Sequence, residues 1–396
     1  MRRLLFVDDD VAILRALERL LRTRQPHWEC AFSDDPGTAL DLVESFAPDA
    51  VVSDMLMPGM HGAEFLAEAS TRRPVMARFI LSGEVGAGTL VRMAMAAHQC
   101  LAKPCRGEVL TRVLHDAHVE PASVKQPALL DGLYGLRSLP VAPGPFGALR
   151  QLLTDEAGEG RDAEAIRLIE GAPGIAIKVL QVATWTRLGF GDPPGTVSEA
   201  FHQLGPEAVA SLLNSALLRP PASGHATPFQ AEVWARCERI GPATRAIARA
   251  EGFSSDQASR MALVALWSAA APLLLDTICR PDYDRVRAAA MADGALVARE
   301  REHFGLAATA ICAQLLRLWG LSPALATAVA HSGDAAALPA TGLAAAGVAH
   351  IAAAVVDTLD GRAVASATRA YLHRLGLEGR LTTWGSMATD AVERAA

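Results

Sequence analysis

The chain has 396 residues, 51% of them hydrophobic, and a formal net charge of -6. A single hydrophobic core rarely grows beyond about 250–300 residues, so this length predicts two or more domains. An acidic chain lacks the broad basic surface that general nucleic-acid binding requires, although a local basic patch is left open.

The predicted location is the cytoplasm. The six cysteines show no CxxC spacing, so neither a zinc site nor a redox motif is indicated. Cysteines scattered in this way along a long chain are typical of buried thiols in a reducing compartment. The N-terminal apolar run reaches Asp8 within a few residues, so we expect no signal peptide. The most apolar later stretch, residues 262–275, contains Ser268 and Pro272 and is shorter than the roughly 18 residues of a membrane span. We expect a buried helix there and no membrane partner.

Short apolar segments alternate with amphipathic ones over the first 118 residues. The predicted strands are residues 4–7, 28–32, 50–53, 78–81 and 100–102, and the predicted helices are residues 11–23, 36–44, 63–69, 87–97 and 108–118. Five strand–helix units of this size predict a doubly wound, flavodoxin-like α/β domain, in which helices cover both faces of a five-stranded parallel sheet. Functional side chains in such a sheet gather at the carboxyl ends of the strands.

The pattern changes after this segment. In residues 119–137, prolines and glycines interrupt the apolar pattern and predict a linker, with a short helix near residues 129–136. From residue 138 to residue 396, strand signals nearly vanish and helical periodicity continues. We therefore predict a larger all-α domain over residues 138–396, including further C-terminal helices.

Polar side chains stand at the ends of the predicted strands, namely Asp8, Asp9, Asp54, Ser82 and Lys103. A carboxylate attacks a phosphoryl donor only when the charge on the transferring group is neutralised, which Mg²⁺ does while held by one or two carboxylates and several waters. We predict that Asp9, Asp54 and the backbone carbonyl of Leu56 bind magnesium, with Asp8 orienting the metal or its water. Asp54 would form an aspartyl phosphate, and Ser82 and Lys103 would hold its phosphoryl oxygens.

Residues 1–118 resemble the receiver domain of two-component response regulators. The resemblance rests on residues 6–10, 53–62, 82–84 and 103–104, which hold all five functional positions in the family's order. It implies that a sensor histidine kinase, or a phosphotransfer protein, phosphorylates Asp54. The alternative, ordinary acids at a helix start and a surface lysine, requires five coincidences.

Two positions depart from the receiver pattern. Cys100 stands three residues before the lysine, where the family usually has an aromatic residue that turns inward when the hydroxyl engages phosphate. We therefore expect the output coupling to differ from the aromatic switch. His61 replaces a commonly acidic residue, and we interpret it as a surface histidine.

Residues 135–335 resemble the HDOD domain, a relative of the HD-type metal phosphohydrolases. The resemblance rests on an ordered set of motifs at residues 138–140, 177–180, 200–205, 232–236, 262–276, 302–306 and 318–321. HD enzymes hold their metal with several His and Asp ligands. Here Ser268-Ala269 occupies the expected His-Asp pair, Ala308 lies near a second expected histidine, and His331-Ser332 replaces a His-His pair.

These departures predict a helical domain without catalysis of its own. One surviving histidine cannot build a hydrolytic centre, so we interpret His331, His303 and His350 as ordinary surface or core histidines. The tryptophans are predicted to be core anchors: Trp185, Trp234, Trp267, Trp319 and Trp384. The domain would bind a protein or nucleotide partner whose identity the sequence does not give.

The leading hypothesis is a cytoplasmic response regulator that is not an enzyme. The phosphate on Asp54 would draw Ser82 and Lys103 inward and shift the face formed by the fourth helix, fifth strand and fifth helix, or the linker. The alternative is a receiver-regulated, metal-dependent phosphodiesterase or phosphohydrolase, which the missing ligands disfavour. A DNA-binding regulator is disfavoured by the acidic charge and by the lack of a terminal helix-turn-helix with a basic face. A homodimer is left open.

Overall fold

The computed structural model describes residues 2–83, 87–119, 123–155, 158, 160–187, 193–218, 220, 226–339 and 341–395. An N-terminal part built around a five-stranded sheet precedes a part in which the described elements are helical. The fold class predicted from the sequence is confirmed.

The N-terminal sheet is parallel throughout, in the order β2-β1-β3-β4-β5. Its strands are β1 (Arg2–Val7), β2 (Trp28–Ser33), β3 (Ala50–Asp54), β4 (Ala77–Ser82) and β5 (Gln99–Ala102). The helices between and after them are α1 (Val11–Arg24), α2 (Pro36–Ser45), α3 (Gly62–Arg72), α4 (Ala87–Ala96) and α5 (Gly107–Asp116). Each predicted element of this part is present, with its ends shifted by at most three residues.

Burial and capping explain these elements. The central strands β3 and β4 are buried along their whole length, as both-face coverage of a parallel sheet requires. The Asp10 carboxylate accepts a hydrogen bond of 2.8 Å from the Ala12 amide and so caps α1. Of the three consecutive acids after β1, Asp10 therefore has a structural role as the cap of α1.

The helical part is built from many short helices around a long one. They are α6 (Pro127–Gly135), α7 (Pro143–Thr154), α8 (Arg161–Gly171), α9 (Pro173–Arg187), α10 (Val197–Leu204), α11 (Pro206–Asn214), α12 (Pro228–Ala250), α13 (Ser255–Asp293), α14 (Leu296–Phe304), α15 (Ala308–Leu318), α16 (Pro323–Ser332), α17 (Ala345–Leu359), α18 (Ser366–Leu375) and α19 (Leu381–Ala395), with a 3₁₀ turn at Glu378–Arg380. Helix α6 is the short helix predicted within residues 119–137. A Cβ on its Gly132 would lie 2.0 Å from the Ile278 side chain, so α6 packs closely on α13.

The predicted buried segment, residues 262–275, lies inside α13. That helix continues through Pro272 and bends at Cys279, two residues before Pro281, where the backbone leaves helical values (φ -129, ψ 40). The expectation that this apolar segment is too short to span a bilayer is wrong. It belongs to a helix over residues 255–291 whose length and apolar composition would be sufficient for a membrane span. In this helix 78% of the most apolar window is buried inside the protein, as in the core helix of a globular domain.

Large aromatic side chains form the centre of the helical core. Trp185, Trp267, Trp319 and Trp384 are almost completely buried and Trp234 nearly so, which confirms their prediction as core anchors. The core continues into the N-terminal part, because β5 packs on α9 and α4 packs on α11. The sheet and the helices are therefore in direct contact at the β5 edge.

Candidate functional site

The carboxyl ends of β1, β3 and β5 bring together two carboxylates and a lysine. The Lys103 ammonium group donates to Asp8 Oδ2 at 2.7 Å and also to Asp54 Oδ1. Asp8 and Asp54 are buried, with 3% and 8% of their surface exposed, while Asp9 is exposed beside them. Burial by itself would lower the pKa of Lys103, but the hydrogen bonds to Asp54 and Asp8 outweigh it and raise that pKa above its ordinary value.

The loop after β3 fixes the orientation of Asp54. Its Oδ2 accepts a hydrogen bond of 2.6 Å from the Leu56 amide. The loop closes where the Gly62 amide donates to the Met55 carbonyl at 2.9 Å. A Cβ at position 62 would lie 1.9 Å from the Asp54 carbonyl oxygen, so only glycine permits this approach. One oxygen of Asp54 is thus held by the loop and the other faces Lys103.

Ser82 lies at the end of the neighbouring strand. It is the last residue of β4 and is buried, and its carbonyl accepts a hydrogen bond of 2.8 Å from the Lys103 amide. The Lys103–Pro104 peptide bond is cis. The residues predicted from the sequence as one site therefore lie at one edge of the sheet, and their roles there remain predictions.

The chemistry of this edge fits a hard divalent cation. The predicted ligands Asp8, Asp9, Asp54 and the Leu56 carbonyl offer only oxygen atoms, which magnesium prefers, and magnesium keeps several waters of its own. Over the described part of the chain, no group of three or more His, Cys, Asp or Glu side chains is arranged to hold a metal. The Lys103 ammonium group pairs with both buried carboxylates and offsets one of their two negative charges, which leaves a net negative edge.

Cys100 lies on β5 between this edge and the helices. Its side chain is completely buried, and its Sγ lies 3.6 Å from Met93 Sδ on α4. Burial raises the pKa of the thiol to about 12, so the group is a packing element and not a nucleophile.

A second site appears in the helical part, at the positions of the expected metal ligands. Ser268, Ala269, Ala308 and Ser332 line one cavity of about 520 Å³, although they come from three different helices. None of these side chains is an ionisable metal ligand. His331, the surviving histidine of the pattern, is exposed, in agreement with its interpretation as a surface residue.

His350 on α17 also lines this cavity. Its Nδ1 donates to the Ser332 carbonyl at 2.8 Å, and its Nε2 therefore accepts from the Thr368 hydroxyl at 3.0 Å. Burial lowers the pKa of this imidazole, which favours the neutral ring, with its proton on Nδ1 and its acceptor at Nε2. Both ring nitrogens are used within the protein, as expected for a structural histidine.

Sequence reasoning missed Glu300, a further residue of this cavity. It belongs to the charged run at residues 299–303, which by pattern is a solvated helix surface, yet only 3% of it is exposed. Its carboxylate accepts hydrogen bonds from the Tyr283 hydroxyl at 3.1 Å and the Ala308 amide at 2.8 Å. Only the tertiary packing of α14 reveals it.

Sequence reasoning also missed the polar contact between sheet and helices. Gln99, the first residue of β5, donates from its side-chain amide to the carbonyls of Arg317 and Leu318 at 3.1 and 3.0 Å. The preceding carbonyl, of His98, accepts from Gln181 Nε2 on α9 at 2.8 Å. The sequence indicates only that Gln99 is a polar residue at the start of an apolar strand. It does not indicate that the side chain bonds to the end of α15.

Comparisons with known proteins identify the same two domain families as the sequence motifs do. The family model described as the response regulator receiver domain matches residues 4–115, and the HDOD domain model matches residues 139–335. The probable transcriptional regulatory protein NarL of Mycobacterium tuberculosis (strain H37Rv) is 30% identical over 178 residues, which cover 43% of this chain and 80% of that protein.

Two solved structures resemble the chain over most of their own lengths. A virulence factor from Campylobacter jejuni shares 16% identity, covering 68% of this chain and 97% of its own with a TM-score of 0.51, and so shows a shared fold. The MmoQ response regulator from Methylococcus capsulatus shares 22% identity, covering 63% of this chain and 98% of its own with a TM-score of 0.49.

Proposed function

Because the chain belongs to the response regulators and joins a receiver domain to an HDOD domain, we propose that phosphorylation of Asp54 controls what the helical half binds. The receiver implies a histidine kinase or a phosphotransfer protein as the phosphoryl source. Binding, and not catalysis, is the proposed output, and the cytoplasm the proposed location.

One observation carries the proposal: Lys103 is shared between Asp8 and Asp54 at the strand ends. The Asp54 oxygen that faces the lysine is the proposed nucleophile, since its other oxygen is held by the Leu56 amide. After transfer, Lys103 would pair with the phosphoryl oxygens and the Ser82 hydroxyl would donate to them. Magnesium held by Asp8, Asp9, Asp54 and the Leu56 carbonyl would neutralise the phosphoryl charge.

Strand β5 offers a route from this pocket to the helices. Lys103 follows its last residue and Gln99 is its first, so one short strand touches both the proposed phosphate and the end of α15. A displacement of Lys103 toward a phosphate would be transmitted along the strand, because hydrogen bonds to β4 keep the strand rigid. The signal would pass through the backbone, since Cys100 is buried and carries no aromatic ring.

Non-catalytic output is supported by the composition of the helical cavity. Ser268, Ala269 and Ala308 stand where the resemblance to HD enzymes places metal ligands, and none can bind a catalytic metal. A receiver-regulated phosphohydrolase therefore remains the weaker proposal.

The phosphoacceptor is tested by incubating the full chain with magnesium and acetyl phosphate, followed by intact-mass spectrometry. We expect the mass of one phosphoryl group on the wild type and on Asp34→Ala, which removes an exposed acid of the same domain. We expect none on Asp54→Ala. Equal addition to Asp54→Ala, or none to the wild type, would contradict the proposal.

A further inference from the structure

The cavity of the helical part has the size and walls of a small-molecule site. Its volume of about 520 Å³ lies within the range of about 300–1,000 Å³ typical of ligand pockets. Much of the wall is small and apolar, including Ala269, Ala349, Ala353 and Ala354. Residues on α17 and α18 close one side, so the C-terminal helices beyond the HDOD match complete the cavity.

The arginines of the cavity wall are already engaged. Arg236 pairs with Asp357, and Arg362 pairs with Asp357 at 3.1 Å and with Glu232 at 2.5 Å. The remaining wall acid near them, Asp360, pairs with Arg239 at 2.5 Å. An anionic ligand would have to break these pairs, so the wall disfavours phosphates and carboxylates.

Glu300 is the wall carboxylate that lacks such a partner. Across the described ranges no lysine, arginine or histidine forms an ion pair with it, although it is buried. Each of its oxygens accepts one hydrogen bond, from Tyr283 and Ala308, and a carboxylate can accept further bonds. A buried carboxylate at the wall of an apolar cavity is complementary to a positively charged hydrogen-bond donor.

We propose that this cavity binds a small organic cation, with an apolar body against the alanine wall and a protonated amine on the Glu300 carboxylate. Since α14, α15 and α17 all contribute to the wall, the ligand would also tie the C-terminal helices to the HDOD domain. The inference rests on the proposed binding role of the helical half and names the chemistry of its ligand.

Three probes with one apolar body and different head groups test the charge preference. They are 2-phenylethylamine, 2-phenylethanol and 3-phenylpropanoate, titrated into the full-length wild-type protein and followed by saturation-transfer difference NMR. We expect the amine to bind more tightly than the carboxylate by about tenfold or more, because a charge-assisted hydrogen bond contributes that much. Equal binding of the three probes, or binding of none, would overturn the proposal.

Two variants locate the site. Glu300→Gln keeps the side-chain shape and should reduce amine binding about tenfold while leaving the alcohol unchanged. Ala354→Leu fills the cavity from α17 and should weaken both. The matched control is Glu302→Gln, which neutralises an exposed acid two residues away and should bind as the wild type does. Amine binding that survives both variants would also overturn the proposal.

The two proposals fail separately. Phosphorylation of Asp54 is read by mass on the same samples, and it does not require the amine. A wild-type chain that acetyl phosphate phosphorylates but that does not bind the amine would remove the cation site alone. A wild-type chain that binds the amine but that acetyl phosphate fails to phosphorylate would remove the regulatory role alone.

Discussion

At the proposed phosphoacceptor pocket, the position of the Asp54 carboxylate depends on a residue that has no side chain. Gly62 begins α3 directly against the Asp54 carbonyl, which leaves no room for a Cβ. Lys103 then fixes the other side of Asp54 through its ammonium group. The pocket is therefore defined by close backbone approach as well as by charge.

Gly62→Ala should destabilise the receiver half by about 1–3 kcal/mol, as overpacking of a tight contact does. The loop 55–61 would have to move, and with it the Leu56 amide that holds Asp54. Urea unfolding of the full chain measures the loss. Gly83→Ala is the control, because a Cβ there meets nothing within 4 Å. Equal stability of the two variants would show that the loop accommodates a side chain.

Among the secondary-structure elements, β5 contacts both the sheet and the helical part. It pairs with β4, ends at Lys103 and begins at Gln99, whose amide satisfies two carbonyls at the end of α15. Carbonyls in the last turn of a helix lack partners within the helix, so a side-chain donor there stabilises the helix end. Gly320, with φ +78, lies so close to Gln99 that a Cβ would meet its Oε1 at 2.7 Å.

Gln99→Ala should loosen this junction by about 1–3 kcal/mol, since it leaves two carbonyls of α15 without their donor. Hydrogen–deuterium exchange should rise in residues 315–321 and in β5, and it should stay unchanged in α1. Gln151→Ala, at an exposed position of α7, is the matched control. Unchanged exchange at the end of α15 would argue against β5 as the link.

In the whole molecule, the two halves meet across a buried group of basic side chains. Arg78 donates to the Ala96 and Tyr134 carbonyls at 3.0 and 2.6 Å, and His98 lies against Tyr134. Lys178 on α9 donates to Gln181 Oε1 at 2.7 Å and to the Arg137 carbonyl, with its ammonium group 4.6 Å from the Trp319 ring centre. Among the described residues, these basic groups contact neutral acceptors and an aromatic face, and none of them forms an ion pair with an acid.

This arrangement predicts a pH dependence of stability. Burial, and then the charge of Arg137, lowers the pKa of Lys178 from 10.5 to about 7. Between these values the unfolded chain holds a proton that the folded chain does not, so stability falls as the pH drops from 10.5 to about 7. Lys178→Met removes the titrating group and should abolish this contribution.

Melting temperatures at pH 7 and pH 9 give the measurement. Relative to Lys178→Met, the wild type should gain stability at the higher pH. Lys125→Met, which removes an exposed lysine, is the control and should follow the wild type. A wild type and Lys178→Met with parallel pH profiles would show that Lys178 does not titrate in this range.

The sequence pattern was sufficient to predict structure where the residues that form an element and those that form the site lie in the same segment. The alternation of apolar strands and helices over residues 1–118 is a local property, and it predicted the sheet and the shared edge for Asp8, Asp54, Ser82 and Lys103. Helical periodicity likewise predicted the second half. The apolar segment at residues 262–275, predicted to be a buried helix, is only the middle of the much longer α13, which continues through Pro272.

What the sequence by itself determined is therefore the order of the two folds, the shared sheet edge of Asp8, Asp54, Ser82 and Lys103, and the absence of metal-ligating side chains at Ser268, Ala269 and Ala308. Only the tertiary structure decided that these three positions share a cavity with Glu300 and His350, and that Gln99 joins β5 to α15. The physical reason is that strand and helix periodicity depends on residues that are close together in the sequence. Burial of a lone charge, or contact over more than two hundred residues of chain, arises only when distant helices pack together.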